Sequence, residues 1–140
     1  MLYFSLALSA LLLLIGAALF QQLRLMRKQI TLHNFADYTK RYQEIIRTFP
    51  EQINGSDFVL HDHPEYRSIM RAMRAYFDLS YEEYVLAREK LVPGSVWTIW
   101  QAGIRVALSK AAFRQAWVIV RADTTYSAEF TRFADEATGS

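Results

Sequence analysis

No charged side chain occurs in the first 23 residues of this 140-residue chain, and all 16 basic and 14 acidic side chains lie in residues 24–140. Leu2 to Leu23 reads LYFSLALSALLLLIGAALFQQL, interrupted only by Ser5, Ser9, Gly16, Gln21 and Gln22. A helix of about 20 apolar residues crosses a hydrocarbon core of about 30 Å. The run is apolar on every face, whereas a helix lying on a protein surface shows one apolar stripe. It predicts a membrane anchor over residues 1–23. Two other readings stay open. A cleaved secretory signal would use Gly16-Ala17-Ala18 as its processing site, but the basic segment that precedes such signals is missing. A buried helix of a soluble protein is normally shorter than this run.

Charge sets the orientation. Arg24, Arg27 and Lys28 stand just after the run and no Lys or Arg stands before it. Basic flanks stay on the cytoplasmic side, so the N-terminus is expected outside and residues 24–140 in the cytoplasm. Tyr3, Phe4 and Phe20 lie near the two ends, where aromatic rings favour the headgroup region. Ser5 and Ser9 form a small-xxx-small pair with Gly16 on roughly the same face, a notch for helix packing in the membrane. The chain has no Cys, which excludes a disulfide framework, a thiolate metal site and a cysteine nucleophile.

After residue 23 the apolar periodicity is helical throughout, which predicts an all-α fold. Residues 21–49 contain neither Pro nor Gly, so the anchor is expected to continue as a stalk helix over 24–49. Phe35, Tyr38, Tyr42, Ile45 and Phe49 recur at steps of 3, 4, 3 and 4 and form one apolar stripe on it. Pro50 marks its end. Asn54-Gly55-Ser56-Asp57 is a turn cluster, so 50–62 reads as a loop. About five further short helices then form a cytosolic bundle over 63–140, packed on the stalk.

The first of these opens near His63 with Pro64 at its first position and turns Tyr66, Ile69, Met70, Met73, Tyr76 and Phe77 inward. Ser80 and Glu83 have capping-box spacing and open the next, which ends at Val92-Pro93-Gly94. A third, from Ser95, carries Val96, Trp97, Ile99, Trp100, Ile104 and Leu108. A fourth, Lys110 to Asp123, carries Phe113, Trp117 and Val120. The last carries Phe130 and Phe133, and the tail from Ala137 to Ser140 frays.

Sites are sparse. His61, His63 and Glu65 are the right ligand types for zinc or iron, but they precede Pro64 in a loop rather than sharing a helix face, and helix capping suits them better. Glu82-Glu83 and Asp135-Glu136 are adjacent pairs that diverge by about 100° on a helix, which reads as solvated surface. Arg67, Arg71 and Arg74 form a basic stripe able to meet anionic lipid or an acidic partner. A net charge of +2 offers no basic field for nucleic acid. Neither a nucleophile elbow nor a glycine-rich phosphate loop occurs, so no catalytic residue, cofactor or small-molecule substrate is expected.

The last 45 residues contain Trp97-x-x-Trp100-x-x-Gly103-Ile104, Phe113-x-x-x-Trp117-x-x-x-Arg121 and Tyr126-Ser127-x-Glu129-Phe130-x-x-Phe133. This arrangement resembles uncharacterised bacterial membrane-anchored proteins with one N-terminal membrane helix and a small helical cytosolic domain. The resemblance implies an architecture and assigns no activity or site residue. The expected function is that of a non-enzymatic, single-pass inner-membrane protein. Its cytosolic bundle is expected to bind a protein partner or assemble with copies of itself, through whatever part of the Phe35–Phe49 interaction face the bundle itself leaves uncovered. Two alternatives remain: a pore or membrane-disrupting assembly of the anchors, and a metal-dependent enzyme built on His61 and His63.

Overall fold

The computed structural model describes residues 2–139, except the side chain of Leu2. Among these residues there are five α-helices, one 3-10 turn (Glu51–Asn54) and no strand. The helices are α1 (Leu2–Ile46), α2 (Tyr66–Arg88), α3 (Gly94–Leu108), α4 (Ala111–Asp123) and α5 (Ala128–Thr138). The all-α expectation holds. The chain divides into two compact units, Met1–Ala36 and Asp37–Ser140.

The first unit is helix alone. With no Pro and a single Gly in α1, nothing interrupts its hydrogen-bond ladder. Every side chain from Tyr3 to Ile30 is exposed, including Leu13 at 76%. A water-soluble surface rarely carries so continuous an apolar area. This helix is long and apolar enough to cross a membrane, and none of its apolar window is buried. The Ser9 hydroxyl donates to the Ser5 carbonyl at 2.9 Å, which satisfies it inside the helix. At the basic flank, the Arg24 guanidinium lies 5.7 Å from the Phe20 ring centre.

The second unit is a bundle around aromatic rings. The stalk stops at Ile46 rather than Phe49. Thr48 and Phe49 tighten into a turn whose amides donate three residues back, to Ile45 and Ile46, because Pro50 disfavours helical geometry at the residue before it. The stretch expected as a loop, 50–62, delivers Ile53, Phe58 and Leu60 to the core. Gln115 holds it there: its Nε2 donates to the Phe58 carbonyl at 2.7 Å, and its Oε1 accepts the Leu60 amide at 2.8 Å. Polar turn residues in this segment therefore bracket apolar ones that fill the bundle.

Four α-helices follow α1, not about five. α2 starts at Tyr66, two residues after Pro64, and runs unbroken through Ser80 to Arg88. Ser80 and Glu83 do not form a capping box. Both are buried in mid-helix, and the Ser80 hydroxyl donates back to the Tyr76 carbonyl at 2.9 Å. A serine satisfied four residues back has no need of a helix end. α5 starts where Ser127 accepts the Phe130 amide at 3.2 Å, a side-chain cap. It continues to Thr138 and closes on Gly139 at φ +73°, so Ala137 and Thr138 are ordered; Ser140 lies outside the described residues.

α2 ends without a glycine. The Lys90 amide donates to Ala87 and the Leu91 amide to Leu86, the paired closure that places one residue in the left-handed region. That residue is Lys90, at φ +56°. Lys90→Gly is expected to stabilise the bundle by about 0.5–1 kcal/mol, because Gly adopts this geometry without Cβ strain. Thermal unfolding followed by circular dichroism should show a midpoint rise of a few degrees. Lys90→Ala keeps the strain and should leave the midpoint unchanged.

The core reads as predicted along α2 to α5. Ile69, Met73, Phe77, Ile104, Leu108, Phe113, Trp117, Val120 and Phe130 are all buried. Rings meet edge-on or tilted from one helix to the next: Phe49 with Phe113 at 5.6 Å, Phe113 with Tyr76 at 5.0 Å and Phe77 with Trp117 at 5.2 Å. Each such contact adds about 0.5–1.5 kcal/mol to the burial itself. Tyr66 is only half-buried, and Ile99 points out at 60% exposure.

Candidate functional site

The stalk stripe is mostly closed by the chain's own bundle. Tyr38 packs on Trp100 with ring centres 5.1 Å apart, Tyr42 on Tyr76 at 6.4 Å and Phe49 on Phe113 at 5.6 Å. Ile45 lies half-buried against the core. Tyr38, Ile45 and Phe49 are thereby half-buried, while Tyr42 keeps 43% of its surface exposed. Phe35 is half-buried and belongs to the first unit.

What stays open lies beside the stripe. Arg41, Glu44, Ile45 and Thr48 of α1 face Ser68, Arg71, Ala72, Ala75, Asp78 and Glu82 of α2 across a groove of about 660 Å³. Both walls follow helical spacing, because residues three and four apart share one face. The middle of the α2 wall is small, Ser68, Ala72 and Ala75, and the rims carry charges of both signs. Small side chains let another backbone approach closely, and the alternating rim fixes its register.

One rim is a tied network. Arg41 donates twice to the Glu82 carboxylate, at 2.7 and 3.0 Å, and the Tyr38 hydroxyl donates to the same group at 3.2 Å. The Arg41 guanidinium also lies 5.1 Å from the Tyr38 ring centre. Arg41 holds the Glu82 carboxyl below its ordinary range against the opposing effect of burial. Burial, then the Glu82 charge, pushes the Tyr38 phenol up. Asp78, one turn before Glu82 on α2, is tied too: the Tyr126 hydroxyl donates to it at 2.7 Å, and that phenol is raised by burial first and by Asp78 second. Two-pronged Arg–carboxylate contacts give defined geometry rather than large stability at such exposure.

The basic stripe divides. Arg74 is taken by Asp123 through two hydrogen bonds, the closer at 2.5 Å. Arg71 lines the groove and Arg67 is exposed. The acidic pairs are not the uniform solvated surface that their spacing predicts. Glu82 sits in the rim network, whereas its neighbour Glu83 is 7% exposed, and burial raises its carboxyl to about 7. Asp135 accepts the Trp117 indole N–H at 2.8 Å and an Arg121 N–H at 2.6 Å.

His61, His63 and Glu65 are held by local contacts. His63 Nδ1 accepts the Glu65 amide at 3.1 Å and its ring stacks on Phe58, while the His61 ring meets Tyr66 edge-on. No group of three or more His, Asp or Glu able to hold a metal forms among the described residues.

No family model, curated protein or solved structure matches this chain.

Ala72, Ala75 and Asp78 drew no notice in the sequence. A register argument would have found Glu83, which falls three and seven residues after the inward Ser80 and Tyr76 on one side of α2. The groove had no such signal, since neither of its walls is distinctive until the other stands opposite.

Proposed function

We propose that this chain is a non-enzymatic, single-pass inner-membrane protein, with the N-terminus outside and the bundle in the cytoplasm. Its helical domain recognises a helix of a protein partner, or of a second copy, in the groove between α1 and α2. The observation that carries this reading is the groove itself: two helical rows 41/44/45/48 and 68/71/72/75 with small side chains between charged rims. An amphipathic helix reads such a surface through every third or fourth side chain. The exposed apolar helix of the first unit and its basic end at Arg24, Arg27 and Lys28 support the anchor and its orientation.

A photo-crosslinking amino acid in place of the exposed Ala75 tests the reading in intact membranes. A discrete adduct, either twice the chain mass or larger by one partner, is the expected result. Ala75→Trp fills the groove and should lower capture at a second probe, in place of Thr48, about tenfold, the equivalent of 1.4 kcal/mol. A chain that gives no adduct from Ala75 or from Thr48 overturns the proposal.

A further inference from the structure

Residues 90–122 form the longest acid-free stretch of the second unit, with five cations, Lys90, Arg105, Lys110, Arg114 and Arg121, and no Asp or Glu. Among the described residues only Arg121 of these has a carboxylate partner, Asp135. Three of the others meet neutral groups that leave their charge in place: Arg105 lies over the Phe133 ring, Lys110 donates to the Asn54 side chain and Arg114 to the Ser109 carbonyl. The same stretch holds Leu91, Ile99, Val106 and Val118, exposed at 60–66%. On α3 the exposed residues Ile99, Ala102, Gly103 and Val106 follow at steps of 3, 1 and 3 and share one face. Among the described residues nothing lies within 4 Å of where a Cβ on Gly103 would stand, so the middle of that face is open.

We propose that the outer face of α3 docks on an anionic lipid surface, with Ile99 and Val106 entering the headgroup boundary and the cations on and flanking α3, Lys90, Arg105 and Lys110, meeting lipid phosphates. Exposed apolar side chains on a helix that carries and is flanked by basic residues are the composition of helices that lie in the membrane interface. Each cation close to an anionic surface contributes about a fivefold factor in binding. A second copy is the poorer occupant, because a two-fold contact through this face would set like charges against each other. The proposal rests on the membrane anchor of the preceding reading, which confines the domain near lipid so that a weak contact suffices. It does not depend on the α1–α2 groove.

Because the chain has no Cys, single probes can be placed at will. The test uses the full chain, one copy per lipid nanodisc. Ser9→Cys or Ala102→Cys carries an environment-sensitive fluorophore, and the lipids carry a quencher. Quenching at both positions with phosphatidylglycerol present, lost at 102 alone in about 1 M salt, where screening acts within about 3 Å, is the expected result. Ile99→Glu with Val106→Glu should abolish quenching at 102, and Gly103→Leu should strengthen it. Unchanged circular dichroism shows that these exposed positions do not unfold the chain. Quenching at 9 without quenching at 102 overturns the docking and leaves the anchor standing. No quenching at either position overturns the anchor, and the docking with it. Equal quenching at 102 in purely zwitterionic discs overturns the assignment to anionic lipid. A contact at 102 only with two copies per disc, or only on adding an acidic protein, replaces lipid with that occupant.

Discussion

Trp117→Ala is expected to destabilise the bundle by about 3–5 kcal/mol, against a total of about 5–15 kcal/mol for a domain of this kind. Trp117 is 1% exposed and lies among Phe77, Tyr126 and Phe130, with ring centres 5.2, 5.9 and 6.0 Å away. Removing it opens a cavity against two helices and a turn at once, because those rings come from α2, the turn before α5 and α5 itself. Its indole N–H also ends on Asp135 at 2.8 Å, which ties α4 to α5. Trp117→Phe separates the two contributions: it keeps much of the ring packing and loses the hydrogen bond, at a cost of about 1–2 kcal/mol. Denaturant titration followed by far-UV circular dichroism measures both. A loss below about 1 kcal/mol for Trp117→Ala would contradict the packing described for this core.

Glu83→Gln is expected to act in the opposite direction and to depend on pH. The folded chain raises the Glu83 carboxyl from an ordinary 4.5 to about 7, by burial first and by the neighbouring Glu82 charge, while Arg41 pulls it back. A raised carboxyl means that the folded state binds the proton more tightly than the unfolded state. The contribution of Glu83 is therefore fully favourable below about 4.5 and declines as pH rises, levelling out above about 7. At 1.36 kcal/mol per unit the whole change is about 3 kcal/mol. Glutamine keeps the shape and carries no charge, so the variant should gain up to about 3 kcal/mol over the parent at pH 8 and almost nothing at pH 4. The difference between the two chains isolates this group from Glu82, whose lowered carboxyl makes stability fall with acid instead. Parallel stability-against-pH curves for parent and variant would refute the burial of a charged Glu83.

The periodicity of the sequence was enough to place every α-helix, but the ends came out to within a residue only for α3 and α4. α3 lies between Pro93 and Ser109, and α5 opens on Ser127. The signals that misled were equally local. Ser80 and Glu83 have the spacing of a helix start, but that spacing is also the one that turns both to the same side of a continuing helix. Which applies depends on whether Tyr76 and the rest of that face are covered, and the cover comes from α1 and α4, through Tyr42 and Phe113. The turn residues of 50–62 likewise gave no notice of Ile53, Phe58 and Leu60 as core, because their cavity is made by Gln115 and its neighbours more than fifty residues later.

Composition and spacing alone therefore determined the charge-free apolar helix, its basic end, the all-helical content and the aromatic residues that fill the core. These follow from how each residue interacts with solvent, with lipid and with neighbours one turn away. Only the tertiary structure decided how far the bundle covers the stalk stripe, that α2 is one helix, that Glu83 is buried while Glu82 is paired, and that a groove opens between α1 and α2. Each of those depends on which distant surface arrives opposite. That is a property of packing several helices together, and no single segment contains it.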